Sequence, residues 1–156
     1  IDDSANCAIE LAHCYRSFGH KRFPYSGEEE LFQAGHRALL QRRYTNAFRC
    51  FQDAIQYNLM SARLLSYAGW SAFHLGHYTL ALEQLDIARI HAPRHPFVLR
   101  CFTVVNIQLN NISLAKNALS IMFKHDIDIE HANQLQKIME HHQKSKQPMS
   151  LNQPPI

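Results

Sequence analysis

The sequence repeats itself with a fixed period. From Leu65 to Pro93 the chain carries Leu65, Ala68, Gly69, Ala72, Gly76, Tyr78, Ala81, Leu85, Ala88 and Pro93, and similar residues stand 34 positions earlier at Leu31, Ala34, Gly35, Ala38, Tyr44, Ala47, Phe51 and Ala54. The pattern returns 34 positions later as Leu99, Phe102, Asn106, Ile112, Ala115, Leu119 and Met122, weakened by Thr103 in place of the small glycine and Asn110 in place of the turn glycine. A unit of two short helices cannot bury its apolar face alone, so a period of this length demands that copies stack on one another. The small pairs Ala34-Gly35 and Ala68-Gly69 let the first helix of a unit approach the second, where Ala47 and Ala81 are the matching small positions. Phe51 and Leu85 are then the large side chains that fill the space between units.

This spacing resembles the tetratricopeptide repeat across residues 28–129. The resemblance implies an all-α fold: three tetratricopeptide-type helical hairpins in a right-handed solenoid with extra N- and C-terminal helices. Helices are expected at about 28–41, 45–58, 62–75, 79–92, 97–109 and 113–125, with turns at Gly76-His77 and Asn110-Asn111 and with Pro93 and Pro96 punctuating the second exit. Residues 1–27 are read as an N-terminal helix over 4–18, capped by Ser4, and a linker ending at Gly27. The helix's apolar stripe of Ala8, Leu11, Ala12, Tyr15 and Phe18 has no assigned partner; it either folds back on the first repeat or forms a homodimer. Residues 130–143 are the capping helix, led in by Asp128, and residues 144–156 are expected to be a disordered tail.

Composition narrows the function classes. The 156 residues carry a net charge of only +3, with Lys and Arg scattered rather than striped, which speaks against nucleic acid as a partner. No apolar run reaches about 18 residues, so no membrane insertion is expected. Cys7, Cys14, Cys50 and Cys101 form no C-x-x-C pair and read as thiols of a reducing, cytoplasmic compartment, three of them at apolar helix positions. The eleven histidines form no zinc-type pattern, because Pro93 interrupts the His91–His95 spacing and His141-His142 diverge on a helix. No cofactor, metal or enzyme activity is expected, since no phosphate loop, nucleophile elbow or acid–base constellation is present. The chain begins at Ile1 without a methionine, which keeps open a fragment of a longer protein.

In a tetratricopeptide stack the first helix of each repeat lines the concave surface. The residues expected to point there are Glu29, Phe32, His36 and Leu39 in the first repeat and Arg63, Ser66, Trp70 and Phe73 in the second; Val98, Cys101, Val105 and Gln108 are assigned in the third. Repeat proteins that hold the carboxylate tails of large chaperones line this groove with Lys, Arg and Asn. Here Phe32, His36, Tyr67, Val98 and Cys101 stand instead, so the groove is expected to be apolar and aromatic, suited to an extended peptide with hydrophobic anchors. Trp70 and Phe73 have two readings, core or groove; Leu65, Ala68, Gly69 and Ala72 already occupy the packing face of their helix, which favours the groove.

A narrower resemblance is to the small repeat chaperones of bacterial type III secretion. Pro93-Arg94-His95-Pro96-Phe97 is similar to a segment of the translocator chaperones, and the pairs Gly69-Trp70, Gly76-His77, Leu85-Asp86, Arg100-Cys101 and Asn110-Asn111 resemble the chaperones of needle and export-apparatus substrates. The resemblance implies a cytosolic chaperone that keeps a secreted protein soluble by holding an extended segment. The peptide-binding residues are then Phe32, His36, Leu39, Tyr44, Arg63, Ser66, Trp70 and Phe73. The partner would be a translocator, needle or export-apparatus component. The alternative is a generic scaffold domain of a larger regulatory or assembly protein. The segment Met149-Ser150-Leu151-Asn152-Gln153-Pro154 is close to what such grooves accept, so the tail is a candidate occupant of its own groove.

Overall fold

The structure, a computed structural model, describes residues 27–146. The expected helix and dimer stripe at 4–18 and the tail segment 149–154 lie outside the described residues. Among the described residues every regular element is helical: α1 (Glu28–Leu40), α2 (Tyr44–Ile55), α3 (Ala62–His74), α4 (Tyr78–His91), α5 (Pro96–Gln108), α6 (Ile112–Lys124) and α7 (Ile129–Lys146). The last helix runs on to Lys146 rather than ending at residue 143, so the first residues assigned to the tail are helical. The chain divides into two compact units, one up to Pro93 and one from Arg94.

The first unit holds two helical hairpins, α1 with α2 and α3 with α4, and α2 packs on α3. Each hairpin closes in the same way. The N–H of Gly76 donates to the Phe73 carbonyl at 3.0 Å and that of His77 to the Ala72 carbonyl at 2.9 Å; Arg42 and Arg43 do the same to Leu39 and Ala38. This closure puts its first residue in the left-handed region, at φ 83° for Gly76 and φ 58° for Arg42. Ser61 starts α3 by accepting the Leu64 N–H on its hydroxyl at 3.3 Å.

The small residues are where close approach demands them. A Cβ on Gly35 would lie 2.7 Å from Phe51 Cε1, and one on Gly69 would lie 3.0 Å from Leu85 Cγ and 3.1 Å from the Ala81 carbonyl oxygen. Phe51, Leu64 and Leu85 are fully buried around these contacts. Gln84 on α4 is out of place in this packing: only 7% exposed, with no partner for its Oε1. Gln84→Leu is therefore expected to raise stability by about 1 kcal/mol, because it removes an unmade hydrogen bond at similar volume. A urea midpoint that moves downward instead means that the Gln84 amide is satisfied in solution.

The second unit pairs α5 with α6 and lays α7 against both. Pro96 begins α5, at a position whose N–H a helix leaves unpaired in any case. Asn110 takes φ 61° at the turn, and Asn111 N–H donates to the Asn106 carbonyl at 2.8 Å, so this hairpin closes as the others do without a glycine. Thr103, standing where the other hairpins have glycine, is fully buried and donates its hydroxyl to the Leu99 carbonyl at 2.7 Å. The weakened third copy thus keeps its helices by satisfying polar side chains on its own backbone.

Candidate peptide-binding site

The residues expected to contact a peptide fall into two groups in the first unit. Near the start of α1 and α3 they are tied to one another. Arg63 Nη2 donates to Glu29 Oε2 at 2.7 Å, lies 3.9 Å from Glu28 Oε1, and its guanidinium sits 4.0 Å over the Phe32 ring. Arg63 therefore clamps α3 to α1, and with Gln33 it holds the Glu29 carboxyl below its usual range. Phe32 is only 7% exposed and packs edge-on against Tyr67 at 5.0 Å, with Phe51 at 5.8 Å and His36 at 5.9 Å. Ser66 has no accessible surface, and its hydroxyl donates to the Arg63 carbonyl at 2.8 Å. Ser66 thus presents nothing for a ligand to touch.

Toward the end of α3 the rings open to solvent. Trp70 and Phe73 stack at 5.4 Å, and both are half-buried rather than core. His74 meets Trp70 edge-on at 4.7 Å and stacks on Tyr44 of α2 at 4.3 Å with a 9° interplanar angle. Tyr78, at the start of α4, extends the row at 5.5 Å from Phe73. Partial burial in this cluster lowers the pKa of the His74 imidazole, which favours an uncharged ring at neutral pH. His36 and Leu39 of α1 are half-buried, and His36 meets Tyr67 edge-on at 5.8 Å.

No protein-family model matches the sequence, and no curated protein matches it. Solved structures do share its architecture. The tetratricopeptide domain of Arabidopsis OM64 superposes with a TM-score of 0.66 at 13% identity, covering 74% of this chain and 96% of that one. The TPR2B domain of yeast Sti1, in complex with pHsp70, gives a TM-score of 0.67 at 15% identity over 76% and 98% of the two chains. The Yersinia enterocolitica type III secretion chaperone SycD, in complex with a peptide of the translocator YopD, gives 0.65 at 15% identity over 76% and 94%. This is the tetratricopeptide-repeat fold.

In tetratricopeptide terms, Glu29 and Arg63 occupy the same position of successive repeats, which is why they meet 34 residues apart. The same counting corrects the third repeat. Val98, Cys101 and Val105 are buried, and the partly accessible residues of α5 are Phe97, Arg100 and Val104, each one position earlier. Leu99 stands in α5 where Leu65 stands in α3, and a slip of one residue turns a helix by about 100°, enough to exchange groove for core. Arg100 is engaged within its own unit: its guanidinium lies 3.1 Å from His131 Nε2 and 3.7 Å from Asp128 Oδ2, and His131 Nδ1 lies 2.7 Å from Asp128 Oδ1.

Sequence reasoning missed His74 and Tyr78 as parts of the ring row. The signal was available, since His74 follows Trp70 by one helical turn, but it gave no hint of the stacking on Tyr44, which only the packing of α2 on α3 creates. Cys101 is fully enclosed and burial pushes its thiol far up, out of reach of thiolate chemistry; Cys50 is half-buried. Among the described residues no group of three or more His, Cys, Asp or Glu is close enough together to hold a metal ion, and no helix is long and apolar enough to cross a membrane.

Proposed function

We propose that this chain is a peptide-binding repeat module that holds an extended apolar segment of a client protein, acting in the cytoplasm as a chaperone for a type III secretion substrate such as a translocator, needle or export-apparatus component. The observation that carries this reading is the row of partly exposed rings, Tyr44, Trp70, Phe73, His74 and Tyr78, beside a helix face whose Leu64, Leu65, Ala68 and Ala72 already fill the core. Rings not needed for packing and held in fixed relation by their own stacking are pre-organised anchors for apolar side chains. Burying one such side chain stabilises a complex by about 1.5–3 kcal/mol before ordering costs. The sequence resemblance to type III chaperones and the structural likeness to SycD, crystallised with a peptide of its translocator, point to the same use. His36 and Leu39 join the row as contacts, whereas Arg63 and Phe32 act by fixing α1 against α3.

Titration with labelled peptides tiled along a co-encoded export substrate tests this directly. Trp70→Ala and Phe73→Ala are each expected to weaken binding by roughly tenfold while leaving the thermal midpoint within a few degrees. Unchanged affinity in both variants would remove the ring row as the docking face.

A further inference from the structure

The turn that leads into the ring row at Tyr44 is basic. Arg37 lies in the last turn of α1, and Arg42 and Arg43 form the turn into Tyr44, the residue whose ring stacks on His74. All three arginines are exposed, and among the described residues no carboxylate lies within ion-pair distance of any of them, whereas Arg63 and Arg89 of the same unit are both paired. The run from residue 31 to residue 52 contains no acidic residue, and neither does the run from 64 to 82. The acidic Glu28, Glu29 and Glu30 stand at the opposite end of α1. Leu40, 72% exposed, sits between Arg37 and Arg42 in the chain.

Local structure does not account for the turn arginines. Arg42 is held at φ 58°, where the second hairpin uses Gly76 and a long side chain is disfavoured. Arg43 is the N-cap of α2, where the helix dipole disfavours a cation and Ser, Thr, Asn or Asp is preferred. Arg37 alone suits its helix end. Residues that break local rules without a compensating contact in the folded chain are candidates for a contact made outside it.

We propose that the α1–α2 turn is an anion-accepting border of the ring row, so that the segment this protein binds is acidic as well as apolar: an extended peptide whose Leu- or Phe-like anchors lie on Trp70 and Phe73 while neighbouring carboxylates meet Arg37, Arg42 and Arg43. The charge complementarity selects a peptide over a nucleic acid, because two arginines on one turn and a third at the end of the preceding helix, in a chain of net charge +3, offer no extended track for a phosphate backbone. The inference rests on the ring row being the docking face.

The test uses the full chain and two labelled synthetic peptides with identical Leu and Phe anchors, one interspersed with Glu and the other with Gln. At about 50 mM salt the Glu peptide is expected to bind about fivefold tighter, the sum of a few exposed ion pairs, and the gap closes at about 500 mM. Replacing all three, Arg37→Gln/Arg42→Gln/Arg43→Gln, abolishes the gap and leaves the Gln peptide unaffected. Arg42→Gly separates binding from folding: it relieves the left-handed residue, so thermal stability rises while affinity for the Glu peptide falls. Equal affinity of the two peptides overturns the inference and leaves the ring row standing. Arginine-dependent binding of the Glu peptide that survives Trp70→Ala and Phe73→Ala overturns the ring row as the docking face, and with it the place of the arginines beside that row. Tighter arginine-dependent binding of a single-stranded oligonucleotide or an anionic vesicle overturns the choice of a peptide.

Discussion

Phe51→Ala is expected to lower the unfolding free energy by about 3–5 kcal/mol, a large part of the 5–15 kcal/mol that holds a domain of this size. The Phe51 ring has no accessible surface and lies between α1, α2 and α3, against the Gly35 backbone, Phe32 at 5.8 Å and Tyr67 at 5.5 Å. Removing it takes away both transfer energy and the wedge that spaces two repeats, and the helices around it cannot collapse far without breaking the Glu29–Arg63 tie. A second substitution checks the mechanism. Gly35→Ala in the native protein drives a Cβ to 2.7 Å from the Phe51 ring and is destabilising; in the Phe51→Ala background the same methyl enters the vacated space. There it is expected to stabilise by up to about 1 kcal/mol, through partial filling and the higher helix propensity of alanine. Urea denaturation of the four proteins of this cycle reads the reversal of sign, and purely additive effects would refute the wedge.

Gly69→Val is expected to cost about 3 kcal/mol or more. Here the obstruction differs in kind. The new Cβ would meet Leu85 Cγ at 3.0 Å, which can move, and the Ala81 carbonyl oxygen at 3.1 Å, which belongs to the α4 backbone and cannot. Valine adds two methyls at a branch with one favoured rotamer in a helix, so it has to push α4 away from α3. Gly69→Ala, with a single methyl and a propensity gain of about 1 kcal/mol, is expected to cost much less. Leu85→Ala in the Gly69→Val background relieves only the side-chain part of the clash. Thermal unfolding of the three variants orders them Ala, then Val with Leu85→Ala or Val alone, and a Gly69→Val protein as stable as the native one would mean that the hairpin is looser than its geometry.

How far the site was legible follows from the same residues. The packing face of α3 could be read from Leu65, Ala68, Gly69 and Ala72, because burial repeats with the helix period. The opposite face could be located but not its accessibility. Ser66 and Trp70 lie on one side of α3, yet Ser66 has no accessible surface and Trp70 is half open. Arg63 could be read as a groove residue, but its commitment to Glu29 and Phe32 depends on a helix 34 residues away.

The amino-acid sequence by itself determined the helices, their pairing into hairpins and the positions at which only a small residue fits, since each follows from the recurrence of residue size and polarity along the chain. Tertiary structure alone decided which of the outward residues remain open, that His74 joins Tyr44, and that Arg37, Arg42 and Arg43 are left without carboxylates among the described residues while Arg63 is not. The reason is physical: periodicity specifies the direction in which a side chain leaves its own helix, and what it meets there is set by the helix beside it.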